Sequence, residues 1–389
     1  MKTNVNQRLL ALDVLRGITI AGMIMVNNPG SWGYIYAPLE HASWNGLTPT
    51  DLVFPFFMFI MGVSTYISLR KYNFEFTTSA ALKIVKRTVI IFAIGLAIAW
   101  FSLSFRTYYS LADAGLAFWD RLAQATTNFE HLRILGVMPR LALCYGATAL
   151  IAILVKHKYI PWIIFVTLLG YFFLLLFGHG FEQSEQNIIS IVDRAVLGIN
   201  HMYQDAGLAI DPEGLLSTLP SICHVLIGFL CGEALMSTKD NDKRIQSLFI
   251  VGTILTLSGF LLSYGCPINK KIWSPTFVMT TCGLASSFLA ILIWIIDIKG
   301  YKAWSRFFES FGVNPLFMYV MGAVLSILLG NIRFDYMGEV IALKSYLYSV
   351  LLQPYLGDYF GSFAFAILFV CFNWIIGYVL YKKKIYIKI

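Results

Sequence analysis

The sequence predicts an all-α polytopic membrane protein, with about ten or eleven transmembrane helices gathered in a single domain over residues 1–389. Two observations carry that fold class. Hydrophobic residues make up 58% of the 389 positions and charged residues only 13%, roughly half the charge of an ordinary soluble domain and more apolar surface than one core can hide. Apolar windows of about 20 residues also recur along the chain with short polar breaks, and that is the length needed to cross a hydrocarbon core of about 30 Å.

The first span is expected at 9–27. It carries Asp13 and Arg16, which share a helix face three residues apart and read as an intrahelical ion pair, as part of a site, or as both. Those internal charges, and the lack of a small-residue cleavage site after them, argue against a cleavable signal peptide. Asn27 and Asn28 end this helix, and Pro29 and Gly30 stop it. The second span, 51–69, opens on Thr48-Pro49-Thr50-Asp51, where a threonine can cap the helix and a carboxylate in the first turn suits the helix dipole. Further spans are expected at 84–104, 134–155, 160–178, 216–236, 246–264, 276–297, 311–330 and 362–381. The stretch 343–357 is apolar but interrupted by Gln353 and Pro354, so it reads as an interfacial piece, a re-entrant piece or an eleventh span.

Lysine and arginine placement sets the orientation. With the amino terminus inside, the cytoplasmic ends collect Lys2, Arg8, Arg70, Lys71, Lys83, Lys86, Arg87, Lys382, Lys383, Lys384 and Lys388, among others. That bias puts both termini in the cytoplasm and the loop before Asp51 outside. The net charge of +8 is then explained by topology and lipid headgroups, and no nucleic-acid role is assigned to it. The bilayer itself is the obligatory partner. Six cysteines lie scattered, mostly within spans, so neither a disulfide framework nor a CxxC metal site is supported. No HxxxH or HExxH spacing, Walker loop or GxGxxG turn occurs, which leaves zinc chemistry, ATP-driven pumping and nicotinamide chemistry without support.

Residues 27–55, NNPGSWGYIYAPLEHASWNGLTPTDLVFP, form a polar and aromatic loop between two membrane-embedded stretches. His41 stands there beside Trp32, Tyr34, Tyr36 and Trp44, as an interfacial histidine in an aromatic belt would. Asn27, Glu40, Ser43, Asn45 and Asp51 crowd around it more densely than anchoring requires. A general base near neutral pH wants an imidazole oriented by a carboxylate or amide, a role open to Asp51 alongside helix capping. Among the other histidines, His224 inside the sixth span is the second candidate, against a packing role.

Seven blocks then stand out in order: LDVLRG at 12–17, MVNNPG at 25–30, HASWNGLTPTDLVFPFFMFIMG at 41–62, RILGVMPRLALCY at 133–145, DPEGLLSTLPS at 211–221, INKKIWSPTF at 268–277 and VNPLFMYV at 313–320. Together they resemble the heparan-α-glucosaminide N-acetyltransferase family. The resemblance implies transfer of an acetyl group from cytoplasmic acetyl-CoA to the amine of a terminal glucosamine on the far side of the membrane, without a metal. His41 matches the family's active-site histidine, Asn27 matches an amide of the same site, and Asp51 falls in the shared helix-start motif. The chain begins at the first of these blocks, so a minimal bacterial-type version in the cytoplasmic (inner) membrane is expected, with the His41 loop facing the periplasm. A homodimer is implied at the same level.

For the acetyl-CoA phosphates the matched blocks suggest Arg140, Asn269 and Lys270, with Asn314 at a possible backbone opening; an exposed loop charge and a proline kink are the plain alternatives. For the amino-sugar acceptor, Asp211 and Glu213 suit an ammonium and hydroxyls, with helix capping as the alternative, and Trp44 and Asn45 complete the set. Asn27 and Asn45 are potential donors to a developing oxyanion. Two other classes stay open at this stage: a transporter of N-acetylglucosamine or muropeptide-type sugars without acetyl transfer, and a binding module without turnover.

Overall fold

The computed structural model describes residues 9–112, 114–205 and 207–387; Lys2, Arg8 and Lys388 of the charge-bias argument lie outside them. In chain order the helices are α1 Leu10–Val26, α2 Pro49–Leu69, α3 Thr78–Ser110, α4 Phe118–Thr127, α5 Val137–Leu154, α6 Ile160–Phe177, α7 Ile188–Leu197, α8 Thr218–Ser237, α9 Asn241–Leu262 and α10 Pro275–Leu292. A π-helical turn, Ile293–Ile298, extends α10. There follow α11 Ser305–Gly312, α12 Pro315–Asn331, strands β1 Arg333–Tyr336 and β2 Glu339–Ala342, α13 Leu343–Ser349, α14 Gln353–Leu356 and α15 Asp358–Lys382.

Eight of these helices, α2, α3, α5, α6, α8, α9, α10 and α15, are long and apolar enough to cross a membrane, each where an apolar window stood in the sequence. The remaining two expected spans, α1 and α12, have 17 residues each, about 25 Å of helix. α12 does not run on from α11; the two meet at 87°, with Asn314 at the corner and Pro315 starting the new helix.

Residues 343–357 are not an eleventh span. They fold as α13 and α14, of 7 and 4 residues, too short to cross, because the Gln353-Pro354 break falls where a span would need unbroken backbone hydrogen bonding. The antiparallel β1–β2 hairpin before them was not expected either. Its turn residues, Met337 and Gly338, both have positive φ, the geometry of a type I′ hairpin.

α2, α5, α8 and α10 form the buried inner layer, whereas α3, α6, α9 and α15 turn most of their surface outward. Without a hydrophobic drive between helices in lipid, close backbone approach at small residues supplies much of the packing. α2 and α8 cross at Gly62 and Gly228, where an added Cβ would fall 2.1 Å from Val225 O and 2.2 Å from Phe59 O, respectively. α1 and α11 meet the same way: a Cβ on Gly17 would overlap Phe308 O and one on Gly312 would overlap Asp13 O. At that crossing Arg16 donates to Asp13 Oδ1 at 2.9 Å, to Gly312 O at 3.2 Å and to Ser64 Oγ at 2.7 Å. The Asp13–Arg16 ion pair therefore also ties α1 to α2 and α11.

Candidate functional site

The site grows out of the start of α2. Thr48 caps the helix and Pro49 occupies its first turn. In the reciprocal capping box, Asp51 N donates to Thr48 Oγ1 at 3.4 Å and Thr48 N donates to Asp51 Oδ2 at 3.2 Å. Ala42 N adds a second backbone donor to Oδ2 at 3.1 Å. The other oxygen, Oδ1, lies 2.6 Å from His41 Nδ1. Asp51 is buried, while the His41 side chain keeps 46% of its surface exposed. Capping and imidazole orientation, alternatives in the sequence, are thus served by different oxygens of one carboxylate.

A second loop, between α9 and α10, closes over this one. Gly46 N donates to Ile268 O at 2.8 Å and Asn269 Nδ2 to Asn45 Oδ1 at 3.1 Å. Gly46 takes a φ of +126°, a backbone state that a side chain would strain. Asn269 is itself fixed, accepting from Ile272 N and donating its backbone N–H to Ser274 Oγ. Lys271 pairs with Asp205 Oδ2 at 2.6 Å, and Trp44 donates to Phe181 O at 2.8 Å. Lys270 arrives at the dyad, with Nζ 3.4 Å from Asp51 Oδ1 and 3.1 Å from His41 Nδ1. Burial lowers the Lys270 ammonium from its usual range, against the pull of Asp51 and Glu213.

These contacts assign the imidazole tautomer. Nδ1 has one position for a proton, and at 2.6 Å from a carboxylate it must donate there, since two facing lone pairs would repel. Lys270 therefore acts on Asp51 by charge, and in the neutral ring Nε2 is the nitrogen that accepts.

Asp211 and Glu213 meet Arg133 instead of presenting free carboxylates. Arg133 Nε donates to Asp211 Oδ2 at 3.0 Å, and its Nη2 donates to Asp211 Oδ1 and Glu213 Oε2 at 2.6 Å each. Asp211 also accepts from Tyr203 N and Glu213 N and is fully buried. Burial disfavours the Glu213 carboxylate, but Arg133 outweighs it and holds the group below the usual carboxylate range. Asp211 is thus a lock between the loop before α5 and the loop before α8, and neither it nor Glu213 caps α8.

Arg140, Asn269 and Lys270 do not gather into a phosphate site. Arg140 is sealed beneath Trp273, 5.2 Å from the ring, and donates to Gly214 O and Ser217 Oγ. Asn269 and Lys270 belong to the His41 layer. Asn314 sits at the other end of the molecule, where its amide donates to Ile385 O and accepts from Ile387 N, both at 2.8 Å. His224 is fully buried, its ring 5.8 Å from Trp273, with no hydrogen-bond partner for either nitrogen among the described residues. No group of three His, Cys, Asp or Glu there is placed to hold a metal ion.

No hydrogen bond joins Asn27 to His41 among the described residues. Asn27 lines a cavity of about 330 Å³ with Arg133, Pro139, Ser102 and Tyr319. A second cavity, about 380 Å³, lies toward the termini, lined by Arg16, Ser64, Arg87, Tyr145, Pro315 and Ile387. The same four helices, α1, α3, α5 and α12, wall both. Sequence reasoning found neither Arg133 as a site residue nor this pairing of cavities; the arginine opening the RILGVMPR block was the available signal.

A family model described as "Heparan-alpha-glucosaminide N-acetyltransferase, catalytic" matches residues 8–264. The chain belongs to this family. Among curated relatives, the protein named heparan-alpha-glucosaminide N-acetyltransferase in Mus musculus is 28% identical over 98% of this chain and 60% of its own length. Its Homo sapiens namesake is 29% identical over 80% of this chain and 52% of its own length. The chain therefore spans little more than half the length of these relatives. Within the region matched to the heparan-alpha-glucosaminide N-acetyltransferase catalytic model fall Asn27, His41, Asp51, Arg133, Asp211 and Glu213. Lys270 and Asn314 lie beyond it.

Proposed function

We propose that this protein is a transmembrane N-acetyltransferase that moves an acetyl group from cytoplasmic acetyl-CoA to the amine of a glucosamine-type sugar on the opposite face. The observation that carries this reading is the Asp51–His41 pair: a buried carboxylate, fixed by a helix cap, holds Nδ1 of a half-exposed imidazole. A base so oriented takes the proton from a nitrogen attacking a thioester carbonyl and returns it to the departing thiolate. Nε2 can instead carry the acetyl group as an acetyl-imidazole between donor and amine. Asn45, whose Oδ1 is held by Asn269, keeps its NH₂ available for the carbonyl oxygen as it becomes an oxyanion. Such a donor is typically worth about 2.7–4 kcal/mol.

The two cavities support a route across the bilayer. Toward the termini, Arg16, Arg87 and the start of α12 line one of them, and arginines beside a helix N-terminus suit the phosphates of a CoA nucleotide. On the His41 side, Asn27 and Arg133 line the other. Both cavities are walled in part by α1, α3, α5 and α12, so a route joining them would run along the same four helices. The topology inferred from charge bias fits this: both termini in the cytoplasm and His41 on the periplasmic side of a bacterial inner membrane, with residues 1–389 acting as one domain.

The test is reconstitution in liposomes, with acetyl-labelled acetyl-CoA on the side of the termini and glucosamine on the other. Label should reach N-acetylglucosamine with the wild type and not with His41→Ala. The paired cavities also favour a second reading, passage of N-acetylglucosamine itself, for which counterflow of labelled sugar without acetyl-CoA is the diagnostic result.

A further inference from the structure

The geometry of Lys270 does not fit the plain role of an exposed loop charge. Its ammonium shares Asp51 Oδ1 with the imidazole, at 3.4 Å from the carboxylate and 3.1 Å from His41 Nδ1, and only 16% of its side chain is exposed. The loop that delivers it is rigidly held. Asn269 on one side is locked by Asn45, Ile272 and Ser274, and three residues after Lys270 the Trp273 side chain is fully buried at a φ of +52°. The charges facing Lys270 are Asp51 and His41 from the α2 entry, Glu213 from the loop before α8, and its neighbour Lys271. Glu213 is answered by Arg133 and Lys271 by Asp205, which leaves Asp51 as the partner that Lys270 compensates.

A histidine held by a lone carboxylate is drawn toward the imidazolium form, which cannot accept a proton. An ammonium on the same carboxylate removes that pull. We infer that Lys270 is a positioning residue: it offsets the Asp51 charge, so that His41 keeps its Nδ1–H directed at Asp51 while Nε2 stays unprotonated and able to accept. The inference deepens the proposed reaction and rests on it for its catalytic meaning, but the charge relationship can be read without any turnover.

The experiment measures carbethoxylation of His41 by diethyl pyrocarbonate in the full chain from about pH 5 to about pH 9, the window in which an imidazole titrates. The His41 peptide is quantified by mass spectrometry, with His41→Gln as blank. Wild type, Lys270→Met and Lys270→Arg are compared, alongside the pH profile of acetyl transfer. With Lys270→Met, the midpoint for His41 modification should rise by about one pH unit, as expected when a neighbouring like charge is removed. The acid limb of transfer should follow it. Lys270→Arg should keep both near wild type, and adding Asp51→Asn to Lys270→Met should bring the modification midpoint back down. An unmoved midpoint in folded Lys270→Met, judged by its thermal transition, overturns the inference and leaves the acetyltransferase reading standing. A moved midpoint in a protein that transfers no acetyl group upholds the inference and removes the reaction.

Discussion

Asp51 Oδ1 lies 2.6 Å from His41 Nδ1, so the carboxylate that starts α2 also aims the imidazole. Asp51→Asn keeps much of the cap but offers His41 an amide in place of an anion, which lets the ring take the wrong tautomer. Acetyl transfer should fall by about 10²- to 10⁴-fold, while stability falls by about 1 kcal/mol for the weakened cap plus the cost of leaving Lys270 without its carboxylate. Comparing turnover and thermal unfolding of Asp51→Asn with Asp51→Ala checks this. A large loss of stability with normal turnover per folded molecule would leave the carboxylate only its cap.

His41→Ala removes a half-exposed ring from a polar loop, and Asp51 keeps Ala42, Thr48 and Lys270 as partners. Stability should change by less than about 0.5 kcal/mol, with transfer abolished. Equal unfolding transitions and absent product in the liposome assay are the expected pair of results.

Arg133→Met strands two carboxylates, one of them fully buried. Removing one partner of such an arrangement costs about 3–5 kcal/mol, so the variant should express poorly and unfold at a clearly lower temperature. Arg133→Met with Asp211→Asn and Glu213→Gln together should recover part of that loss. A variant as stable as wild type would show that the lock contributes little.

Asp193 gives the fold a pH dependence of its own. It sits on α7 outside the spans, fully buried, accepting from Leu215 N and Leu216 N through Oδ1. Oδ2 has no hydrogen-bond partner among the described residues. Burial pushes its carboxyl from 3.8 up to about 6, against those two backbone donors. A raised carboxyl favours the neutral folded form, so its stabilising contribution is complete below about pH 4 and is lost as pH rises through about 6. The whole effect is bounded at about 3 kcal/mol. Unfolding measured across that range should show a smaller decline in Asp193→Asn than in wild type; equal slopes would contradict this.

Gly228→Ala places a methyl 2.2 Å from Phe59 O, and the backbone there has no side chain that can yield. The α2–α8 crossing must open, at a cost of about 1–3 kcal/mol. Thermal unfolding in detergent reads it directly.

Local features were legible in the sequence and distant pairings were not. The apolar windows located eight spans because each is a continuous run whose length the bilayer fixes. His41 and Asp51 could be linked because they are ten residues apart and flank a recognisable helix start. Lys270 reaches His41 across 229 residues of sequence, and Arg133 reaches Asp211 across 78. In both cases the charges are visible in the sequence and their partners are not, so the sequence leaves phosphates open for Lys270 and an acceptor open for Asp211. The β1–β2 hairpin escaped because Met337-Gly338 lacks the Asn-Gly or Asp-Gly signal of such turns. The fate of residues 343–357 turned on whether one proline would be tolerated, which apolar composition alone does not decide.

The walls shared by the two cavities make their alignment a question of helical phase. On α12, Pro315 and Leu316 face one cavity and Tyr319 and Gly322 the other. One residue inserted between Leu316 and Tyr319 would rotate everything beyond it by about 100°. The cavity toward the termini would keep its α12 wall while Tyr319 and Gly322 turned away from the Asn27 cavity, so the insertion would alter one chamber and spare the other with every lining residue type unchanged.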